Sequence, residues 1–430
     1  MNLKSRAFFN KFCGGTIAVA GVFTSRHVMG AQSVLMAPPP VPLQPLAAQE
    51  ESTNNEMSVF LPSYDNKDNS LPQPFKFGGI VFRPHPLYRF TYATGIQSGT
   101  NNSERSIIQE FSPGIAVDLG RHWMVDYTPT IRFYSNRAFR NTIDHSATLT
   151  GGTSYEDWSF NLSQSYVKSD STLVDTAGQT RTQAYDTELG AAYQINDKMY
   201  AQFGVSQQFN LVDGFQDSKT WSSSDWLNYV YTKRLDFGLG IGGGYTLISA
   251  DQSGSTNPDQ SFENAKARVR WRALDKLGFS VDGGLEERQI LAAGYKDELN
   301  PTFDLTLDYE PFDQTQITLS GGRSVSSSDY SILAQNTETT SLNLAVTQRL
   351  LEQLSLSVSL GYTQTAYTEA LGSLSAIRTD DNYNFNVRLS HTFAKRGTVA
   401  VTYQYSQNNS TLAGYSFRSN QIGFELGFAY

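Results

Sequence analysis

Four cations share one side of the stretch ENAKARVRWR: Lys266, Arg268, Arg270 and Arg272 alternate with Ala265, Ala267, Val269 and Trp271. In an extended strand successive side chains point to opposite faces, so all four emerge together. The segments that follow place acids at matching parity, Asp282 and Glu286 in LGFSVDGGLEE, then Asp304 and Asp308 in FDLTLDYE. Folding the chain about ALDK (273–276) sets Lys266 or Arg268 opposite Asp282. Fixed charges along a passage select and orient permeating ions. The same charges paired across strands form a transverse ladder that only neutralises the wall. Both readings are open at this stage, and they are compatible. Asp126, Arg132, Arg388 and Glu425 fall on the corresponding face of their own segments.

Other chemistry is thinly represented. The five histidines (His27, His85, His122, His145, His391) are scattered, and no spacing forces a Ser–His–acid grouping. No metal-ligand spacing or phosphate-cradling loop is present. The run GLGIGGGY (238–245) contains GxGxxG-like matches, but it lies inside an alternating strand with no helix after it. Its glycines read as a smooth or bent wall. The sequence therefore predicts no catalytic residue, no cofactor and no metal, and the chain reads as a non-enzyme.

The elements that must hold these charges are strands. WSFNLSQSY places Trp158, Phe160, Leu162 and Tyr166 against serines and an asparagine; LSLSVSLGY places Leu354, Leu356, Val358, Leu360 and Tyr362 against serines. That period of two runs from Leu87 almost to the last residue. Short links such as ED (156–157), NDK (196–198) and TKR (232–234) alternate with long polar stretches such as SADQSGSTNPDQ (249–260). Tight turns at one end and longer loops at the other are the pattern of an outer-membrane barrel. The prediction is all-β: a closed antiparallel transmembrane β-barrel of about eighteen strands, sixteen to twenty being compatible, with short periplasmic turns and long outer loops.

Aromatic residues provide a second signal. Trp123, Trp158, Tyr193, Tyr231, Trp271, Tyr309, Phe393 and Tyr430 stand beside the short turns on the apolar side of their strands, as one interfacial girdle would. Phe133, Tyr166, Tyr185, Phe209, Tyr245, Tyr362 and Tyr383 make the outer counterpart. A one-residue slip of 265–272 would turn four cations toward lipid, at about 2–4 kcal/mol each near the midplane, so register is strongly set. Pro113 and Pro129 fall inside neighbouring strands and nearly oppose each other, which predicts a bulge or weak seam. The closing segment SNQIGFELGFAY (419–430) is a bare strand, and it is expected to pair with the first strand near Leu87–Gln97.

Ahead of the strands lie two other materials. Lys4, Arg6 and Lys11 precede a short apolar core, Cys13–Phe23, and a small-residue stretch ending near Ser33, which reads as an export signal over residues 1–33. Residues 34–76 are Pro-rich, then polar and aperiodic, and read as a disordered periplasmic arm before a barrel over 77–430. Cys13 is the only cysteine, so the exported chain would carry no disulfide or thiolate metal site. Losing four cations with the signal leaves 29 basic against 41 acidic residues, a net of −12 that argues against nucleic acid as a partner.

At EFSPGIAVDLG (110–120), DHSATLTGGTSYEDWSFNLSQSY (144–166) and YDTELGAAYQI (185–195) the chain resembles the putative β-barrel porin type 2 family, outer-membrane barrels of diderm bacteria. The resemblance implies an outer-membrane pore, some members being associated with polysaccharide export, and it carries over no catalytic residue. The expected partners are outer-membrane lipid, the barrel-insertion machinery through the C-terminal strand, and either small solutes or a polysaccharide. The alternatives are an export conduit for polysaccharide and a structural or adhesive barrel at the cell surface.

Overall fold

The computed structural model describes residues 75–120, 122–249, 258–292, 297–328, 334–369 and 376–429. The expected export signal, nearly all of the arm and the terminal Tyr430 lie outside the described residues.

Among the described residues every regular element is a strand. β1 (Phe75–Phe77) is a three-residue return on the start of β2 (Ile80–Gly99). Then follow β3 (Asn102–Leu119), β4 (Trp123–Tyr134), β5 (Thr142–Tyr155), β6 (Trp158–Leu173), β7 (Gly178–Asn196), β8 (Met199–Val212) and β9 (Asp217–Thr232). The second half comprises β10 (Leu235–Ser249), β11 (Gln260–Leu274), β12 (Leu277–Ile290), β13 (Glu298–Phe312) and β14 (Thr315–Ser327). It continues through β15 (Ala334–Leu351), β16 (Leu354–Glu369), β17 (Ala376–Phe393), β18 (Gly397–Ser410) and β19 (Phe417–Phe428). From β2 to β19 each strand pairs antiparallel with the next, and β19 pairs with β2. The result is a closed eighteen-stranded barrel.

Closure runs from Gly427↔Leu87 to Asn420↔Thr94, within the stretch expected to receive the last strand. β3 covers one edge of β2 along nearly its whole length, so β1, paired with Ile80–Phe82, takes the other edge beyond the end of β19. No edge is left bare at the seam, which removes the template for unwanted pairing.

The strands are 12 to 20 residues long, whereas a tilted membrane-spanning strand needs about 9–11. The excess explains a difference from the sequence reading. Much of the polar sequence read as outer loop is strand that continues past the apolar band, and the outer connections range from two residues (100–101) to ten (250–259).

The band itself is legible in side chains. Leu239 is 72% and Ile241 67% exposed on the outer face of β10, while the opposite face of β19 buries Ser419, Gln421 and Glu425. This is the inverse of a soluble core, and lipid supplies the missing apolar partner. Tyr166 and Trp158, Tyr185 and Tyr193, and Tyr245 and Phe237 are each eight residues apart along one strand. Eight residues span about 26 Å, close to the height of an apolar band. Ring pairs mark both rims: Trp158–Tyr193 at 4.7 Å on the short-turn side; Tyr166–Tyr185 at 4.8 Å and Tyr362–Tyr383 at 5.2 Å on the outer side. Trp123, Tyr231, Trp271, Tyr309 and Phe393 are exposed beside the short turns.

Candidate functional site: the charged barrel interior

The expected hairpin register is met at Arg268↔Asp282. The guanidinium donates from Nε to Asp282 Oδ1 at 2.7 Å and from Nη2 to Oδ2 at 2.5 Å, a bidentate pair. Lys266 stands opposite Gly284, and Arg272 opposite Gly278. Arg270 donates to Tyr200 Oη at 3.3 Å. Asp304 lies beside Asp282 on β13, exposed; Asp308, also exposed, accepts from Thr318 Oγ1 at 3.0 Å. Glu286 is buried and pairs with Arg288 at 2.7 Å.

The glycine run explains how two large rings fit on this wall. A Cβ at Gly240 would meet the Trp226 indole at 2.5 Å, and one at Gly244 would meet Phe262 at the same distance. Each ring lies flat on a glycine and carries a guanidinium on its other face. Arg268 sits 3.7 Å from the Trp226 centroid, and Arg288 4.8 Å from that of Phe262. The expectation of a smooth wall is right in outline, but the wall is smooth so that aromatic rings can cover it.

A second network lies on the far side, where the barrel closes. Arg388 Nε donates to Glu425 Oε2 at 3.0 Å; Arg89 bonds Glu425 at 2.9 Å and Glu110 at 3.0 Å. Arg132 bonds Glu110 at 2.6 Å and Asp144 at 2.8 Å. Three cations and three anions thus alternate across β17, β19, β2, β3, β4 and β5. β18 is crossed over Ala400, small and fully buried. The transverse ladder considered for Lys266–Arg272 is therefore found chiefly at the seam. Arg132, Arg388 and Glu425 were readable as inward charges. Arg89, Glu110 and Asp144 were missed, although each has inward parity in its strand.

Asp126 belongs to neither network. Its Oδ2 lies 2.7 Å from His85 Nε2, beside the proline line. Pro86 opposes Pro113, and the β3–β4 ladder lapses between Phe111↔Ile131 and Ile115↔Tyr127, where Pro113 faces Pro129. Register is the same on both sides of the gap. The weak seam is present and the bulge is not, because two facing prolines remove donors without adding a residue. Ser112 Oγ and Thr130 Oγ1, 2.8 Å apart, bridge the gap.

Among the described residues no cluster of His, Cys, Asp and Glu could hold a metal ion. With the geometry in place, comparison with known proteins adds the following. Residues 275–430 match the family model of putative beta-barrel porin 2. The matched span contains Asp282, Glu286, Asp304, Asp308, Arg388 and Glu425, while the cationic strand β11 precedes it. No curated protein matches the chain. Among solved structures, it is similar to the outer membrane protein OpdK from Pseudomonas aeruginosa, at 11% identity and a TM-score of 0.42, covering 81% of this chain and 99% of that one. It is also similar to OccK3 (OpdO) of that organism, at 11% identity and 0.43, covering 81% and 96%. The siderophore receptor PirA, again from Pseudomonas aeruginosa, gives 8% and 0.43, covering 83% and 81%. Scores of this size carry no argument, and the barrel stands on its own strand pairing.

Proposed function

We propose that this barrel is an outer-membrane pore through which small hydrophilic solutes diffuse along a water-filled, charge-lined interior. The observation that carries the reading is the accessibility of inward groups on one side of the ring. Arg272, Asp304, Asp308, Asn343 and Thr347 are exposed although they project from the inner face of a closed wall. A barrel near eighteen strands is wide enough for an aqueous channel, whereas eight strands are filled by their own side chains. The residues matching a porin family model agree with this reading.

The charges divide into two roles. The seam ladder is self-neutralising, and Arg268 is neutralised by Asp282. Arg270, which meets a tyrosine rather than a carboxylate, and the exposed Arg272 and Asp304 are left to bias ion passage. A polysaccharide conduit would present bare ring faces for stacking. Trp226 and Phe262 have both faces covered, by glycine and by arginine, which favours diffusion. A structural or adhesive barrel would work through large surface loops, and the outer connections reach only ten residues.

Liposome swelling tests the proposal. Vesicles containing the folded barrel should swell in small sugars, with the rate falling as the sugar grows. No swelling in any sugar would contradict it.

A further inference from the structure

The alternation that governs the barrel fails in one place. From Ser169 to Val174 every residue is buried regardless of parity, Thr172 completely, and so is Ala177. A strand end projecting above the membrane rim would leave one face to solvent. Burial on both faces means that the outer tip of the β6–β7 hairpin is folded into the barrel mouth. Ala177, in the left-handed region at φ 52°, closes its tight turn.

The contacts show where the tip goes. Val174 packs on Phe417 of β19. Arg378 of β17 donates from Nη2 to the Val174 carbonyl and from Nη1 to the Asp175 carbonyl, both at 3.2 Å. Tyr367 Oη of β16 donates to Asp175 Oδ1. In the ring order β6 and β16 are ten strands apart one way and eight the other. The tip therefore crosses the mouth to almost the opposite wall. Arg378 is itself clamped, 4.7 Å from the Tyr367 centroid and 3.8 Å from that of Tyr415, with Asp380 binding its Nε at 3.0 Å. At its base the hairpin is tied to the β4–β5 connection, Arg140 N donating to Gln179 Oε1 at 2.8 Å and Gln179 Nε2 to the Arg140 carbonyl at 3.0 Å.

We propose that the β6–β7 tip is a strap across the outer mouth that sets the size of solute admitted, with Arg378 and Tyr367 as its latch. The latch is polar and local. Its tip side offers two carbonyls and one carboxylate, groups that water satisfies equally well once the strap swings out, so release strips no apolar core from the wall. The strap rests on the pore reading, and its test separates the two.

The full chain in a Cys13→Ser background is reconstituted as wild type, as Arg378→Ala and as Val174→Asp, with folding checked by heat-modifiable gel mobility. Val174→Asp alters only the tip, so it serves where Arg378→Ala fails to fold. Releasing the strap should raise single-channel conductance several-fold and admit larger sugars in the swelling assay. A Val174→Cys/Phe417→Cys pair joined by a reductant-cleavable bismaleimide should hold the small conductance until the linker is cut. Unchanged conductance and sugar cut-off in the folded variants would overturn the strap and leave the pore reading intact. Silence of wild type and variants alike, all folded, would overturn both.

Discussion

At the scale of single residues, the interior is governed by whether a charge has a partner. Glu110 and Glu425 each serve two arginines in the seam ladder, and the Glu425 side chain is only 8% exposed. Removing the shared anion strands two cations in a poorly solvated site, where breaking a buried pair costs about 3–5 kcal/mol. Glu425→Gln is expected to lower the denaturant midpoint of the folded barrel by a difference of that order. Arg270→Ser, by contrast, deletes a cation with no carboxylate partner among the described residues. It should leave stability nearly unchanged and shift the reversal potential in a salt gradient toward cation preference. Arg268→Ser should shift it in the same direction and also destabilise, since it strands Asp282.

The exposed pair Lys276–Asp313, 2.5 Å apart on neighbouring short turns, is a control. The ammonium holds the Asp313 carboxyl below its ordinary value, and the hydrogen bond to Asp313 raises Lys276. A depressed carboxyl contributes stability above its unfolded value and loses it as pH falls through the folded one. Full exposure screens this contribution. Asp313→Asn should therefore produce no measurable change in the midpoint at neutral pH.

At the scale of elements, strand parity was the most readable feature of the chain. Period-two alternation located the lumen and lipid faces of β10, β11 and β19, and the four cations of β11 fixed its register to Arg268↔Asp282. Element ends were less readable. Serine, threonine and asparagine serve both as loop residues and as residues of strands that stand in water on both faces, so polarity alone does not mark where β17 begins at Ala376 or β11 at Gln260. Two predictions belong here. Leu239, on the outer face of β10, should tolerate arginine poorly, at a cost of about 2–4 kcal/mol if it lies near the bilayer midplane; refolding into lipid vesicles of defined thickness measures this. Amide exchange at Ser112, Gly114, Thr128 and Thr130, flanking the facing prolines, should be faster than at Val117 and Val125, where the ladder is intact.

At the scale of the whole molecule, closure was legible and the interior arrangement was not. The apolar stripe of Ile422, Phe424, Leu426 and Phe428 required a partner, and a ring is the arrangement that supplies one without an edge. The seam ladder was hidden because Arg89, Glu110 and Asp144 are isolated charges in their strands. They become a chain only when the last strand meets the first and sets Glu425 beside Arg89. The strap was hidden for the same reason, since Val174 and Arg378 are 204 residues apart and meet only across the mouth. One signal was present, the apolar pair Leu173–Val174 within an otherwise polar stretch.

Single-channel recording in planar lipid bilayers tests the central claim most directly. A lumen that meets water predicts discrete, ohmic current steps that scale with bulk salt and carry an ion preference altered by Arg270→Ser. A correctly folded barrel that inserts into the bilayer and passes no current, even with Arg378→Ala or Val174→Asp in place, would contradict it.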